Sequence, residues 1–408
     1  MQQQELIPHL FRTEFGRITA VLCKLFGFEN VTVAEDITSE TFLAALDTWP
    51  YKGIPENPQA WLYTVAKNKA KNILTREKLF NQKISHSVGA GHPTEYVTEI
   101  DLTGPNINDS QLQMLFAICH PSISPEAQIG LALRILCGFG IDEIAHAFLS
   151  NKETINKRLY RAKEKLREAQ VKMEFPAENE LKIRLQPVLT TLYLLFSEGY
   201  YSETENTILR KELCEEAMRL IKMLLNYPLT NTKEVNALFA LTCFHGSRFN
   251  ARMDHNGELV LYNDQDESLW NKELIAIGAR HLAAAAQGNH FSRYHIEASI
   301  AYWHTHKADT IEKWESILYL YNNLLVIEYS PVAALNRTYA LAKVKGNKTA
   351  IIEAEKLNLT NNPFYYTLLG ELYKDIDVLK AREHLLEALR VAKTDDDKKT
   401  IYAKLEAL

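Results

Sequence analysis

The densest group of side chains that could do chemistry lies at residues 152–167, which hold seven lysines and arginines and two acids. The whole chain of 408 residues has a formal net charge of −5, so this basic segment contrasts with an acidic protein. Ammonium and guanidinium groups bind phosphate oxygens, and Arg and Asn side chains can also form paired hydrogen bonds to base edges. The segment therefore indicates a nucleic-acid contact, for which the candidate residues are Lys152, Thr154, Asn156, Lys157, Arg158 and Arg161.

Two short helices are expected to position this basic segment. Apolar residues recur at three- and four-residue spacing through residues 141–149, which predicts a first helix with one buried face. Ser150 and Asn151 form the turn to a second helix, and this spacing is typical of a DNA-binding helix-turn-helix. The hairpin alone also fits an ordinary all-α protein whose basic face is solvated. The residues of the second helix expected to face the first are Thr154, Ile155, Leu159 and Ala162.

A second basic segment, residues 67–83, has six lysines and arginines against one acid, Glu77. It continues a helical pattern in which Trp61 belongs to an apolar stripe, with the polar candidates beside that stripe. Amides can hydrogen-bond the bases of an unpaired strand while lysines hold its phosphates. Trp61 fits a core position better than a stacking platform, so Asn68 is the favoured base-contacting residue. The candidate set here is Lys67, Asn68, Lys71 and Asn72.

An acidic amphipathic helix is predicted at residues 34–50, AEDITSETFLAALDTWP. Its acids, which include Asp36 and Glu40, share the helix with large apolar residues, which include Phe42 and Leu46. Carboxylates repel nucleic acid, so this helix is a poor DNA binder. A protein-docking surface is a reasonable function for it, although a solvated helix face is the default interpretation.

Composition is that of an ordered globular protein, with 46% hydrophobic and 24% charged residues. No run of about 18 apolar residues could span a bilayer, and the N-terminus lacks a secretory pattern, so we expect a cytoplasmic protein with no membrane contact. The five cysteines are scattered and never spaced CxxC, which predicts neither a disulfide framework nor a zinc site.

Catalytic motifs are not found in the sequence, so we expect no enzyme activity, no cofactor and no metal. G-x-S-x-G, HExxH and glycine-rich phosphate loops do not occur. Several histidines lie close together in sequence, but their spacing is not that of a ligand set: His281, His290, His295, His304 and His306.

The predicted fold is all-α, with two small helical domains, a linker and a large repeat-like domain. We expect a first domain at residues 1–78, a flexible linker at 79–108, a second domain at 109–172 and a carboxy-terminal domain at 177–408. Near its end, helix pairs that begin at Pro331 and Pro363 are 32 residues apart. This is close to the tetratricopeptide period, which predicts tetratricopeptide-like repeats from about residue 311.

The motifs in order resemble bacterial RNA polymerase sigma factors of the extracytoplasmic-function group. WLYTVAKNKAKN at residues 61–72 follows the acidic helix, and EIAHAFLSNKETINKRLYRAKEKL at 143–166 follows the variable linker. The resemblance covers residues 5–170, and the long extension is similar to a subgroup with a carboxy-terminal helical-repeat domain. It implies a sigma factor whose first domain is region 2, whose second is region 4, and whose activity the extension regulates.

The resemblance also implies roles for individual residues and partners. Core RNA polymerase would dock on the acidic helix through Asp36, Glu40, Phe42 and Trp49. Asn68 would capture a flipped base of the minus-ten element, and the second helix of the hairpin would enter the major groove of the minus-thirty-five element. Promoter DNA is thus the second expected partner, and a protein or peptide ligand of the extension the third.

Two other functions remain open at this stage. The chain could be a helical-repeat scaffold or signal-binding protein that the helix-turn-helix tethers to DNA. A conventional repressor is disfavoured, because it needs neither the acidic docking helix nor the second basic segment.

Overall fold

A computed structural model of the protein describes residues 3–85, 100–148, 150–201, 207–252, 260–287 and 291–408. Across these ranges the regular structure is helical and contains no strand, which confirms the predicted all-α class. The chain separates into two compact units, Met1–Asn231 and Thr232–Leu408.

Nine α-helices are described in the first unit, and a π-helical turn at Ala132–Leu136 follows the fifth. They are α1 (Gln3–Phe26), α2 (Val31–Lys52), α3 (Pro58–Ser85), α4 (Gly104–Ile118), α5 (Pro125–Leu131), α6 (Ile141–Ala147), α7 (Lys152–Glu168), α8 (Glu178–Tyr201) and α9 (Thr207–Asn226).

Helix α1 is the centre of the first unit. Its side chains from Glu14 to Cys23 are buried on nearly every side, with Phe15, Ile18 and Leu22 fully excluded from solvent. It packs against α2 and α3 and also against α4 and the π-helical turn. A helix that is buried all round belongs to the core rather than to the surface. The two small domains expected from the sequence therefore share α1.

Helices α8 and α9 belong to the first unit, although the sequence placed them in the carboxy-terminal domain. Gln128 of α5 is buried, and its side-chain oxygen accepts a hydrogen bond of 2.8 Å from the Thr191 hydroxyl of α8. Arg184 of α8 donates to the Phe116 carbonyl at 2.9 Å, and Arg219 of α9 donates to the Leu136 carbonyl at 3.3 Å. These buried and partly buried polar contacts join α8 and α9 to α4, α5 and the π-helical turn, so the unit extends to Asn231 rather than ending before 177.

The predicted linker at residues 79–108 is partly helical. Helix α3 continues to Ser85 and α4 begins at Gly104. The part of the predicted linker at residues 86–99 lies outside the described residues.

The basic hairpin consists of α6 and α7, and α7 begins where the Asn151 side chain accepts a hydrogen bond of 2.8 Å from the Thr154 backbone N–H. Ile155, Leu159 and Ala162 are buried, as their spacing predicts. The expectation that Thr154 faces the first helix is wrong, because its side chain is exposed and Ile155 takes the inward position. Leu149 of the predicted first helix lies outside the described residues.

The second unit has successive helices that pack on one another. Pro331 and Pro363 each begin the first helix of a pair, α14 with α15 and α16 with α17, as the 32-residue spacing suggests. Assignment of these pairs to the tetratricopeptide class stays a prediction. The helices are α10 (Lys233–Ser247), α11 (Lys272–Ala285), α12 (Arg293–Trp303), α13 (Ile311–Ile327), α14 (Pro331–Lys345), α15 (Asn347–Leu357), α16 (Pro363–Tyr373), α17 (Val378–Val391) and α18 (Asp395–Glu406).

None of the helices within the described ranges is both long and apolar enough to cross a membrane.

The unit boundary predicts how the chain tolerates truncation. A chain cut after Asn231 should melt cooperatively, whereas one cut after Pro176 should lose cooperative melting. Truncation after Pro176 removes Thr191, the hydrogen-bond partner of Gln128, and uncovers the apolar faces of α4 and α5. Each buried polar group that is left unpaired costs about 1–3 kcal/mol. Circular dichroism melting curves of both truncated chains check this.

Thr191→Val in the full chain is the matched control for the truncation. It removes only the hydroxyl, so it should lower the free energy of unfolding by about 1–3 kcal/mol while the fold is kept. Equal melting of the two truncated chains would contradict the boundary.

Candidate functional site

The polar face of α3 is open to solvent. Asn68, Lys71 and Asn72 are exposed and Lys67 is half-buried, and all four lie within one side of the helix. This face is separate from the side of α3 that carries Lys69, whose ammonium donates to Glu40 of α2 at 2.7 Å. The structure thus brings together the four α3 candidates and leaves them accessible to a partner.

Contacts in the first turns of α3 fix this helix in place. Tyr63 donates a hydrogen bond of 2.6 Å to Glu14 of α1, and burial together with this bond raises the pKa of Tyr63 to about 12. Trp61 packs edge-to-face on Trp49 of α2, with ring centroids 5.4 Å apart. The Trp61 indole is therefore part of the packing between helices.

The four residues expected to bind polymerase divide into two groups. Asp36 and Glu40 are exposed on α2. Phe42 and Trp49 are buried, at 3% and 2% exposure, and the Phe42 ring packs on Phe11 of α1 at 5.0 Å. Phe42 and Trp49 do not present free side chains, because they lie on the side of α2 that faces α1 and α3. The assignment of all four residues to polymerase binding stays a prediction.

A groove of about 750 Å³ runs between α1 and α2, and Phe42 and Trp49 contribute to its floor. Leu43 and Leu46 line it while 56% and 50% exposed, so two large apolar side chains meet solvent beside the acids of α2. Exposed apolar surface of this kind is typical of a protein contact site. Both leucines were missed as site residues, although their place in an otherwise acidic helix was the available signal. The lining is Ile7, Pro8, Phe11, Ser39, Phe42, Leu43, Leu46, Trp49, Pro50 and Ile54.

The basic residues of α7 form a stripe along one side of the helix. An α-helix advances about 100° per residue, so positions separated by three, four and seven residues align. The stripe lines a shallow cavity of about 410 Å³ whose other wall includes Ile123 and Ser124. Its members are Thr154, Lys157, Arg158, Arg161 and Lys165, of which Lys165 was not among the candidates.

Lys152 and Asn156, the other two candidates on α7, lie on a different side of that helix from the stripe. Both are exposed, and the Lys152 ammonium is 2.9 Å from Asp142 of α6. The six α7 candidates therefore do not form one face, and four of them do.

The stripe has a clear positive charge. Lys157 pairs with Glu153 at 2.6 Å, but both groups are exposed and such pairs contribute little stability. Arg158 lies over the Phe148 ring, 5.9 Å from its centroid. The pKa of Glu126, near the stripe in α5, is lowered by hydrogen bonds from its own backbone N–H and from Ser124, and to a smaller extent by the positive charge of Arg158.

The clustered histidines of the second unit are held by structural contacts. His295 bonds the Ala285 carbonyl at 3.0 Å, and His281 bonds Asn236 at 2.7 Å. Burial lowers the pKa of His304 to about 3. His290 lies outside the described residues. Where the structure describes the chain, no group of three His, Cys, Asp or Glu side chains is placed to hold a metal ion.

Comparison with known proteins matches two parts of the chain to families. Residues 10–79, from within α1 to within α3, match the family Sigma-70 region 2. Residues 184–286, from α8 to the end of α11, match DUF6596, a family of unknown function. The uncharacterized protein R00370 of Rhizobium meliloti (strain 1021) is 32% identical over 396 residues, which cover 93% of this chain and 91% of that protein. No solved structure matches the chain.

The division of the α2 candidates predicts unequal effects on stability. Trp49→Ala should lower the free energy of unfolding by about 3–5 kcal/mol, because it leaves a cavity beneath the groove. Leu43→Ser should change it by less than about 0.5 kcal/mol, because that side chain is largely exposed. Urea unfolding of the two variants measures the difference, and similar losses would show that the groove is not open as described.

Proposed function

The chain belongs to the same family as the uncharacterized Rhizobium meliloti protein R00370, and from this premise we propose that it is a sigma factor that binds core RNA polymerase and directs it to promoter DNA. One observation carries the proposal: the Sigma-70 region 2 match falls on α1–α3, the helices that bear the apolar groove and the exposed Asn68 face.

Helix α2 is proposed as the docking element for core polymerase. Leu43 and Leu46 supply apolar area beside the exposed carboxylates of Asp36 and Glu40. Apolar anchors surrounded by charge suit a partner helix that carries apolar and basic residues. Phe42 and Trp49 act by holding the floor of the groove rather than by presenting free side chains.

The exposed face of α3 is proposed to hold the opened strand of the minus-ten element. Asn68 can hydrogen-bond a base edge, and Lys71 can neutralise a neighbouring phosphate. Extruding a base costs a few kcal/mol of unstacking, which these contacts must offset. Solvent exposure of Asn68 and Lys71 makes this face accessible to the strand.

The stripe on α7 is proposed to read the minus-thirty-five element. Arg158 and Arg161 lie along one side of the helix with Thr154 at its N-terminal end, which is the end that helix-turn-helix proteins direct at base edges. Lys157 and Lys165 contribute phosphate contacts from the same side. Lys152 and Asn156 lie on another side of α7. They are proposed to contact only the sugar-phosphate backbone of the DNA, at the edge of the bound element.

The extension is proposed to regulate this promoter reader. Its first two helices, α8 and α9, are part of the first unit and contact α4, α5 and the π-helical turn. A conformational change in α8 or α9 would therefore act directly on α4, α5 and the π-helical turn, which support α7. It would not require α3 to move.

A second candidate function is a helical-repeat scaffold tethered to DNA through α7. The second unit favours it in one respect, because α13 exposes Tyr319 and Val326 at 67% and 88%. This function needs no polymerase, so a polymerase-binding assay separates the two candidates.

The direct test uses the full chain with purified core RNA polymerase and promoter DNA. The wild-type chain should form a complex with core polymerase and produce a promoter-specific transcript. A double variant, Leu43→Asp with Leu46→Asp, should weaken the complex at least about tenfold, which corresponds to about 1.4 kcal/mol. Ile183→Asp, at an apolar residue of α8 that is 73% exposed, is the control and should bind normally. Absence of any complex with core polymerase would refute the proposed function.

Two further variants test the division between the DNA faces. Arg158→Ala should weaken binding to the duplex element by about 1–3 kcal/mol and alter sequence preference. Asn68→Ala should leave duplex binding unchanged and reduce strand opening, measured by permanganate reactivity of unpaired thymines. Arg167→Ala is the control on α7, because Arg167 lies off the stripe and pairs with Glu164. Equal loss of duplex binding in the Asn68 and Arg158 variants would contradict the assignment.

A further inference from the structure

Helix α13 of the second unit carries a stripe of apolar side chains on its outer side. Ile311, Tyr319 and Val326 are separated by eight and seven residues, so they align along the helix, and each is more than half exposed. Leu318 and Leu325 lie beside them and are half-buried. These five residues, the α13 stripe, present large apolar groups to solvent along most of the helix.

The apolar surface continues past the end of α13. Tyr329 and Val332 follow the helix and are also more than half exposed. A Tyr side chain has about 150–250 Å² to bury, and this surface holds two of them, Tyr319 and Tyr329, besides the aliphatic groups. Its area is therefore of the order of the roughly 800 Å² that each partner contributes to a stable protein interface. That exceeds the largest apolar patch of about 300–600 Å² on a typical monomer.

Charge is missing from the part of α13 where a surface helix normally carries it. Residues 316–327, SILYLYNNLLVI, contain no Asp, Glu, Lys or Arg. Helix α10 also has a long uncharged stretch, but its residues 235–244 are all buried, which explains their composition. In α13 one side of the uncharged stretch is open to solvent. Loss of charge at an exposed apolar surface is typical of the centre of a protein interface.

The polar groups within this surface already have partners in the same chain. The Asn322 side-chain oxygen accepts a hydrogen bond of 2.6 Å from Arg337 Nε of α14. The Asn323 amide donates to the Tyr319 carbonyl at 3.1 Å. A partner that covers the α13 stripe therefore does not have to break these two bonds, which lowers the cost of burying the surface.

The charges on α13 favour a second copy of the chain in one orientation. The exposed acids, Glu312 and Glu315, both lie in its first turns, and the exposed residues toward its C-terminus, such as Asn322 and Val326, are uncharged. Two parallel copies would bring like acids together, which is unfavourable. An antiparallel pair instead puts the acidic turns of each copy against the uncharged end of the other, and it opposes the two helix dipoles. A two-fold axis across the middle of α13 produces this arrangement with the same surface on both copies.

We propose that α13 is a homodimer interface, in which two copies of the chain pack their α13 stripes antiparallel about a two-fold axis. Tyr319 and Val326 are its central apolar contacts, and the axis passes near Leu320, the middle of residues 311–329. The dimer goes beyond the proposed function and does not depend on polymerase or DNA.

The first test is sedimentation equilibrium of the full chain over a range of concentrations. The wild-type chain should dimerise with a dissociation constant of about 1 μM or lower, the range of interfaces of this size. Tyr319→Glu with Val326→Glu should raise that constant at least about a hundredfold, because each dimer would bury four carboxylates at its centre. A chain that stays monomeric up to about 10 μM refutes the dimer and leaves the α13 stripe to a different protein.

Leu379→Glu with Leu386→Glu on α17 is the matched control. These two residues are also exposed, apolar and seven positions apart in the second unit, and the substitutions add the same charge. The control variant should dimerise like the wild type, and circular dichroism should show that both double variants keep the fold. Equal loss of the dimer in the two variants would refute the assignment to α13.

Disulfide cross-linking tests the orientation independently. The five native cysteines are buried, so Glu315→Cys and Val326→Cys introduce the reactive thiols on exposed positions. In the antiparallel pair, residue 315 of one copy faces residue 326 of the other, whereas identical positions lie about 16 Å apart along the axis. A mixture of the two variants should therefore cross-link well, and each variant alone poorly. Cross-linking of each variant with itself, as strong as in the mixture, would overturn the antiparallel arrangement.

Discussion

Burial of α1 on nearly every side is the constraint on which the first unit depends. Phe15, Ile18 and Leu22 are fully excluded from solvent because α2 and α3 cover one side of α1 while α4 and the π-helical turn cover another. Removing either set of neighbours would expose large apolar side chains, at about 25 cal/mol per Å². Gly16 marks the closest approach, since a Cβ there would lie 2.2 Å from the Leu136 carbonyl oxygen. The two parts of the chain that carry the proposed DNA faces therefore share one core.

Both an apolar core and ion pairs between helices hold the first unit together. The apolar core holds α2, α3 and α4 in place, which fixes the groove and the Asn68 face. The basic hairpin also forms ion pairs with these helices, Lys163 with Glu35 of α2 and Glu143 with Arg12 of α1. Helices α8 and α9 contact the same unit, so the part of the chain proposed to be regulatory is joined directly to the elements that support α7.

The sequence was sufficient for the features that depend on local periodicity. The helical spacing of apolar residues predicts the hairpin and the burial of Ile155 and Leu159 in it. The same spacing predicts the helix that exposes Asn68. Features set by distant contacts were not predictable. Thr191 meets Gln128 across 63 positions in sequence, so nothing local assigns α8 to the first unit. Phe42 and Trp49 were assigned to polymerase docking through the family resemblance, which does not show that neighbouring helices cover their side chains.

The central claim is that α1 is a core element common to both parts of the first unit. Hydrogen exchange of the free full chain, followed by mass spectrometry, tests it most directly. Amides from Phe15 to Cys23 should exchange with the same free energy as those of α4, because α1 can open only when the whole unit unfolds. Exchange of α1 together with α2 at a distinctly lower free energy than α4 would contradict the claim and return the chain to two independent domains.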